Sequence, residues 1–149
     1  MGDCRKVKGS YVLILSISES LPISVGRLGE PYFSNGFYAY VGSALGGYKS
    51  RLKHHLLQGR KPHWHIDYLL QKATIRDIII CTSTERTECR IADVLRGEFE
   101  SISGFGASDC KCRSHLFYDA KEMTSRIVML LKESGFRPEH ITDFTSIIE

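Results

Sequence analysis

The sequence predicts an α+β fold, and three observations carry that expectation. Strand-like and helix-like segments mix without the strict strand–helix–strand rhythm of a doubly wound sheet. Residues 11–17 (Tyr-Val-Leu-Ile-Leu-Ser-Ile) are almost wholly apolar and rich in strand-forming types, as in a strand covered on both faces. Asn35-Gly36 is a hairpin signal, because a type I′ turn needs positive φ at both central positions.

Taken in order, the strand at residues 11–17 comes first. Residues 23–28, after Pro22, read as a short strand. The Asn35-Gly36 turn then separates Pro31-Tyr32-Phe33-Ser34 from the aromatic strand Phe37-Tyr38-Ala39-Tyr40-Val41. Gly46-Gly47 opens a helix in which Leu45, Tyr48, Leu52 and Leu56 fall at helical spacing, and Gly59 ends it. Pro62 starts a second helix with Ile66, Leu69, Leu70 and Ala73 as its apolar stripe. Ile78-Ile79-Ile80-Cys81 is a short buried strand, and Thr82 or Thr84 caps a third helix running to about Arg96, with Ile91, Ala92 and Leu95 inward. Residues 101–113 read as a loop containing glycine and cysteine, and His115-Leu116-Phe117-Tyr118 as the last strand. A final helix covers about residues 120–134, with Met123, Ile127, Leu130 and Leu131 toward the core. Gly135, Phe136 and Pro138 stop it in the Schellman manner.

The 149 residues suit one domain, read as residues 1–149 with a core at about 9–118 and the C-terminal helix packed on it. Hydrophobic residues make up 42% and charged residues 25%, the balance of a globular chain in water. No apolar run approaches the roughly 20 residues that span a bilayer, and the polar start Met1-Gly2-Asp3-Cys4-Arg5-Lys6 is unlike an export signal. The expected location is therefore cytoplasmic, with no membrane partner. Five cysteines, an odd number, argue against a disulfide framework there. The net charge is +3, yet residues 1–72 hold 10 Lys and Arg against 4 Asp and Glu, while residues 73–149 hold 10 against 13. A basic first half suits a polyanion such as nucleic acid, although a solvated surface can carry the same bias.

Three features bear on chemistry. Tyr11 and Tyr40 sit beside glycines, in Gly9-Ser10-Tyr11 and Tyr40-Val41-Gly42. Glycine next to a strand permits close backbone approach, but both tyrosines are also ordinary strand aromatics. Arg51 and His55 are at i,i+4 and share a helical face, where an arginine can fork onto phosphate and a histidine can exchange a proton. A solvated basic face is the competing reading. Glu88 lies in line with Ile91, Ala92 and Leu95, where a carboxylate is costly unless paired or metal-bound; at the edge of the stripe it would merely favour the helix N-terminus.

Taken together these residues resemble the GIY-YIG nuclease superfamily: Gly9-Ser10-Tyr11 its GIY element, Tyr40-Val41-Gly42 its YIG element, Arg51 and His55 its helix, Glu88 its metal-binding glutamate. The resemblance covers about residues 9–118. It is closest to an uncharacterised prokaryotic GIY-YIG-like family, sometimes fused to an endonuclease III domain, on Tyr40-Val41-Gly42-Ser43-Ala44-Leu45-Gly46-Gly47, His63-Trp64-His65-Ile66-Asp67-Tyr68-Leu69 and Gly104-Phe105-Gly106-Ala107-Ser108-Asp109-Cys110. Ser10 replaces the usual isoleucine, and the gap from Tyr11 to Tyr40 is longer than usual, filled by the Asn35-Gly36 hairpin. The resemblance implies a small, mainly antiparallel central sheet flanked by helices. It also implies DNA cleavage in repair or processing, association with a DNA-repair protein, and catalysis by Tyr11, Tyr40, Arg51, His55 and Glu88 with Mg²⁺ or Mn²⁺ on Glu88. A tyrosine would activate the attacking water with help from a cation or His55.

Two further groups of residues bear on binding. Cys110-x-Cys112-x-x-His115, with Cys89, offers zinc ligands, against the reading of plain structural thiols. Lys49, Lys53, His63, His65 and Asp67 are candidates for substrate contact, with Trp64 either a core anchor or a stacking surface for a base. The alternative functions are a non-catalytic nucleic-acid-binding domain of the same fold and a zinc-stabilised interaction domain.

Overall fold

In the computed structural model, residues 9–44, 48–57, 62, 64–83, 87–106, 112 and 114–144 are described, with residues 48–50 described in backbone alone. The fold is α+β: a six-stranded antiparallel sheet between two pairs of helices. The strands of the large sheet are β1 (Gly9–Ile17), β4 (Gly36–Ser43), β5 (Thr74–Thr82), β6 (Glu100–Ser101), β7 (Leu116–Asp119) and β8 (Pro138–Ile141), in the order β6-β7-β4-β1-β5-β8. Two short strands, β2 (Leu21–Pro22) and β3 (Tyr32–Phe33), pair separately. The helices are α1 (Tyr48–Leu56), α2 (His65–Leu70), α3 (Glu88–Arg96) and α4 (Thr124–Glu133).

Side-chain alternation on β1 decides the layers. Tyr11, Leu13, Leu15 and Ile17 enter one core with Tyr38, Tyr40, Leu52, Ile66, Leu69 and Leu70, under α1 and α2. Val12 and Ile14 enter a second core with Ala39, Val41, Ile91, Leu95, Ile127 and Leu131, under α3 and α4. Eight of the nine residues of β1 are buried, which explains its apolar run without alternation. The N-terminal end of β1 lies beside the C-terminal ends of β4 and β5, since Ser10 faces Ser43 and Cys81. The chain leaves that end of the sheet into α1 and into α3, so both helices start close together.

Several local expectations are corrected. Residues 23–28 are not a strand: Gly26–Leu28 forms one 3-10 turn, entered through a positive φ at Gly26. Asn35-Gly36 is not a type I′ turn, since Asn35 lacks the positive φ that turn requires and Gly36 already belongs to β4. The added hairpin between the two tyrosines exists, but it joins β2 to β3. Thr82 closes β5 instead of capping α3; the residue before α3 is Thr87, and Thr84 lies outside the described residues. The second and last helices begin later than Pro62 and Ala120, at His65 and Thr124. Ser101, read as loop, pairs in β6.

The α4 stop follows expectation. Gly135 takes φ +91°, Phe136 N–H donates to Leu131 O at 2.9 Å and Gly135 N–H to Lys132 O at 3.2 Å, the two bonds of a Schellman motif. Pro138 then does more than end a helix: it opens β8, which pairs with β5 at the sheet edge, where a missing N–H is tolerated. Among the described residues, no helix is long and apolar enough to cross a membrane.

Candidate active site and an adjacent metal-ligand cluster

Tyr11 and Tyr40 project from neighbouring strands into the same core, because Tyr11 stands opposite Gly42 and Tyr40 is two residues back along β4. Their ring centroids are 6.5 Å apart. Gly42 makes this possible. A Cβ at that position would lie 2.4 Å from both Cζ and Oη of Tyr11, so the ring occupies the space where any other side chain would begin.

One turn into α1, Arg51 and His55 face these rings. The Tyr11 hydroxyl and His55 Nε2 are 2.6 Å apart, with Tyr11 0% and His55 1% exposed. The His55 ring also lies 6.3 Å edge-on from Tyr40. The Arg51 guanidinium sits over the Trp64 ring at 4.2 Å and within hydrogen-bonding reach of the Tyr11 phenol. Trp64 is therefore a platform for the arginine. Its backbone N–H donates to Asp67 Oδ2 at 2.9 Å, and Asp67 Oδ1 accepts from His54 Nε2 at 3.1 Å. Asp67 thus fixes the start of α2 and ties it to α1. His65 Nδ1 accepts the Gly106 N–H at 2.9 Å and so holds the loop beneath Tyr40. His63 and the side chain of Lys49 lie outside the described residues, and Lys53 is half-buried on α1.

Glu88 opens α3, where the helix N-terminus favours its negative charge. Thr87, just before it, bonds Ser10 at 2.7 Å between side-chain oxygens. The start of α3 is thereby stitched to β1 next to Tyr11. Sequence reasoning missed this link; a serine at position 10, at the start of an otherwise apolar strand, was its visible sign. Glu88 is close enough to Tyr40 and to His115 to affect their ionisation. Among the described residues, its buried Oε2 has no hydrogen-bond partner, and neither has His55 Nδ1.

Burial sets the protonation states. Desolvation raises Tyr11 well above the usual phenol range, with Tyr40 adding to the rise and Arg51 opposing it. Tyr40 is pushed up to about 12 by burial, against the pull of Arg51. His55 is lowered to about 3 by burial. At neutral pH the cluster therefore holds two protonated phenols, a neutral imidazole and a fixed arginine charge. Desolvation likewise lowers His115, against a smaller opposing effect of Glu88.

A second cluster adjoins Glu88. Ligand atoms of Cys89 on α3, Cys112, and His115 just before β7 all lie within 4.8 Å of one another, a group that could hold a metal ion. Cys89 Sγ and His115 Nε2 are 3.8 Å apart. Cys110, grouped with them on sequence, lies outside the described residues.

No match was found among curated proteins or among solved structures. Residues 10–135, a stretch that contains Tyr11, Tyr40, Arg51, His55, Glu88 and the Cys–His cluster, match the domain of unknown function DUF123, and the chain belongs to that family.

Proposed function

We propose that this chain is a metal-dependent nuclease of the GIY-YIG type that cleaves DNA phosphodiester bonds in repair or processing. The observation that carries the reading is the cluster itself: a buried Tyr11–His55 pair at 2.6 Å, flanked by Tyr40, a fixed arginine and a carboxylate oxygen without a partner among the described residues. A structural core has little use for that combination. Setting a partly exposed guanidinium beside two buried phenols, and burying a carboxylate oxygen that has no partner among the described residues, costs free energy that packing alone does not return.

Each residue has a part. Arg51, held flat by Trp64, presents N–H donors to the phosphoryl oxygens and neutralises the charge that develops there. Tyr11 is the better candidate for the water-activating group, because it alone of the two tyrosines is bonded to His55. With His55 protonated at Nδ1, its Nε2 accepts the Tyr11 hydroxyl. The phenol oxygen can then take a proton from the attacking water while its own proton passes to Nε2. Such a relay avoids a free phenolate, which burial disfavours, and leaves an imidazolium at His55 that burial also opposes and the nearby Asp67 carboxylate favours. Tyr40, close enough to Glu88 to feel its charge, orients water or phosphate.

The Glu88 oxygen, without a partner among the described residues, fits a hard cation, Mg²⁺ or Mn²⁺, which takes one or two carboxylates and keeps several waters. When bound, that ion supplies Lewis-acid stabilisation of the leaving oxygen. The basic half of the chain supports an attraction to the polyanionic substrate.

The test is cleavage of flap, fork, damaged-duplex and single-stranded DNA with Mg²⁺ or Mn²⁺. Cleavage is expected to fall by about 10²- to 10³-fold in Arg51→Ala, and to be abolished in Glu88→Ala. Binding that survives both, with no cutting by the parent protein, would leave a non-catalytic DNA-binding domain instead.

A further inference from the structure

We propose that Cys89, Cys112 and His115 bind a zinc ion that clamps the first turn of α3 to the segment entering β7, independently of the proposed nuclease reaction. Three ligand-type atoms converge within 4.8 Å from positions 23 and 3 residues apart in sequence. In a tetrahedral zinc site with Zn–S near 2.3 Å and Zn–N near 2.05 Å, a sulfur and a nitrogen ligand sit about 3.6 Å apart. The observed Cys89 Sγ to His115 Nε2 distance is 3.8 Å. The third ligand atom, from Cys112, lies within 4.8 Å of both.

The ligands are held before any metal arrives. His115 is 6% exposed, and its backbone is fixed on both sides: its N–H donates to Phe105 O at 2.8 Å and its carbonyl accepts from Val41 N–H at 2.9 Å. Cys89 rides on the first turn of α3. Cys112 is partly exposed, at a cleft of about 390 Å³ that Cys89, Arg90, Ala92 and Ser114 also line, so an ion has a route in. Two thiolates and one imidazole select zinc over magnesium or calcium, which prefer oxygen. Two thiolates also neutralise the ion, and a fourth donor completes the tetrahedral shell.

The clamp has a structural consequence. Cys89 immediately follows Glu88, and His115 enters the strand that pairs with β4 beside Tyr40. Zinc would therefore fix the start of α3 relative to the sheet end that carries both tyrosines.

The full chain, purified without chelator, is assayed for metal content, and the metal-free protein is titrated with Zn²⁺ and with Co²⁺. One zinc per chain is expected, with Co²⁺ giving tetrahedral d–d bands and a thiolate charge-transfer band. Cys112→Ser, a conservative change at a partly exposed position, should weaken zinc binding by at least about 100-fold, since even outer-sphere partners of a metal are worth up to that. Circular dichroism checks that the variant folds. Absence of saturable zinc binding, or equal affinity in Cys112→Ser, overturns the site. Arg51→Ala serves as the separate arm: it should lose cleavage and keep its zinc, so failure of the nuclease reading and failure of the zinc site remain distinguishable.

Discussion

Replacing Gly42 by alanine drives a methyl group into the Tyr11 ring. The new Cβ would sit 2.4 Å from Cζ and Oη and 2.8 Å from Cε2. Ordinary carbon contacts are about 3.5–4.0 Å, so the ring must retreat by about 1 Å or more. It has nowhere to go, because Tyr11 is 0% exposed and Gly42 stands opposite it in register. Overpacking of this kind costs about 1–3 kcal/mol. A retreating ring also gives up the 2.6 Å bond to His55, and unpaired buried polar groups cost about another 1–3 kcal/mol. The expected loss is thus about 2–6 kcal/mol, read as a shift of the urea midpoint at unchanged slope. The same change in a Tyr11→Leu background should cost far less, since the atoms it strikes are gone, and the cycle isolates the coupling. A Gly42→Ala protein within about 0.5 kcal/mol of the parent, or an equal cost in both backgrounds, refutes the packing argument and with it the placement of Tyr11.

Two further expectations concern acid stability and the α4 stop. His55, lowered to about 3 in the fold from an ordinary value of 6.5, is neutral when folded but charges when unfolded below pH 6.5. The unfolded chain binds more protons in that window, so stability is full above about pH 6.5 and falls as pH drops toward 3, by up to about 5 kcal/mol for this group. Denaturant titrations of parent and His55→Gln across pH 7 to 4 should diverge; parallel curves would dismiss the assignment. At Gly135, with φ +91° and nothing within 4 Å of a built Cβ, alanine should cost about 1–2 kcal/mol from backbone strain alone. An unchanged thermal midpoint would show that the Schellman geometry is not held.

The sequence by itself determined the α+β class, the covered strand β1, the strand carrying Tyr40, the apolar faces of α2, α3 and α4 and the Gly135 stop. These rest on local patterns: period 2 or 3.6 in apolar residues, or a glycine at a helix end. It also picked out Tyr11, Tyr40, Arg51, His55 and Glu88 as residues to bring together, and it gave the physical reason for Gly42, close backbone approach. Only the tertiary structure decided what Gly42 makes room for, which is the Tyr11 ring on the strand opposite. Tertiary pairing likewise overrode the Asn35-Gly36 turn signal: β3 pairs with β2, and β4 pairs with β1 and β7 instead of with the residues before the turn. The link from Ser10 to Thr87 spans 77 residues and the Tyr11–His55 bond spans 44, distances over which no periodicity carries information. Protonation was beyond the sequence for the same reason. Burial, which makes His55 neutral and holds Tyr11 and Tyr40 protonated, is a property of everything packed around a group and not of the group's place in the chain.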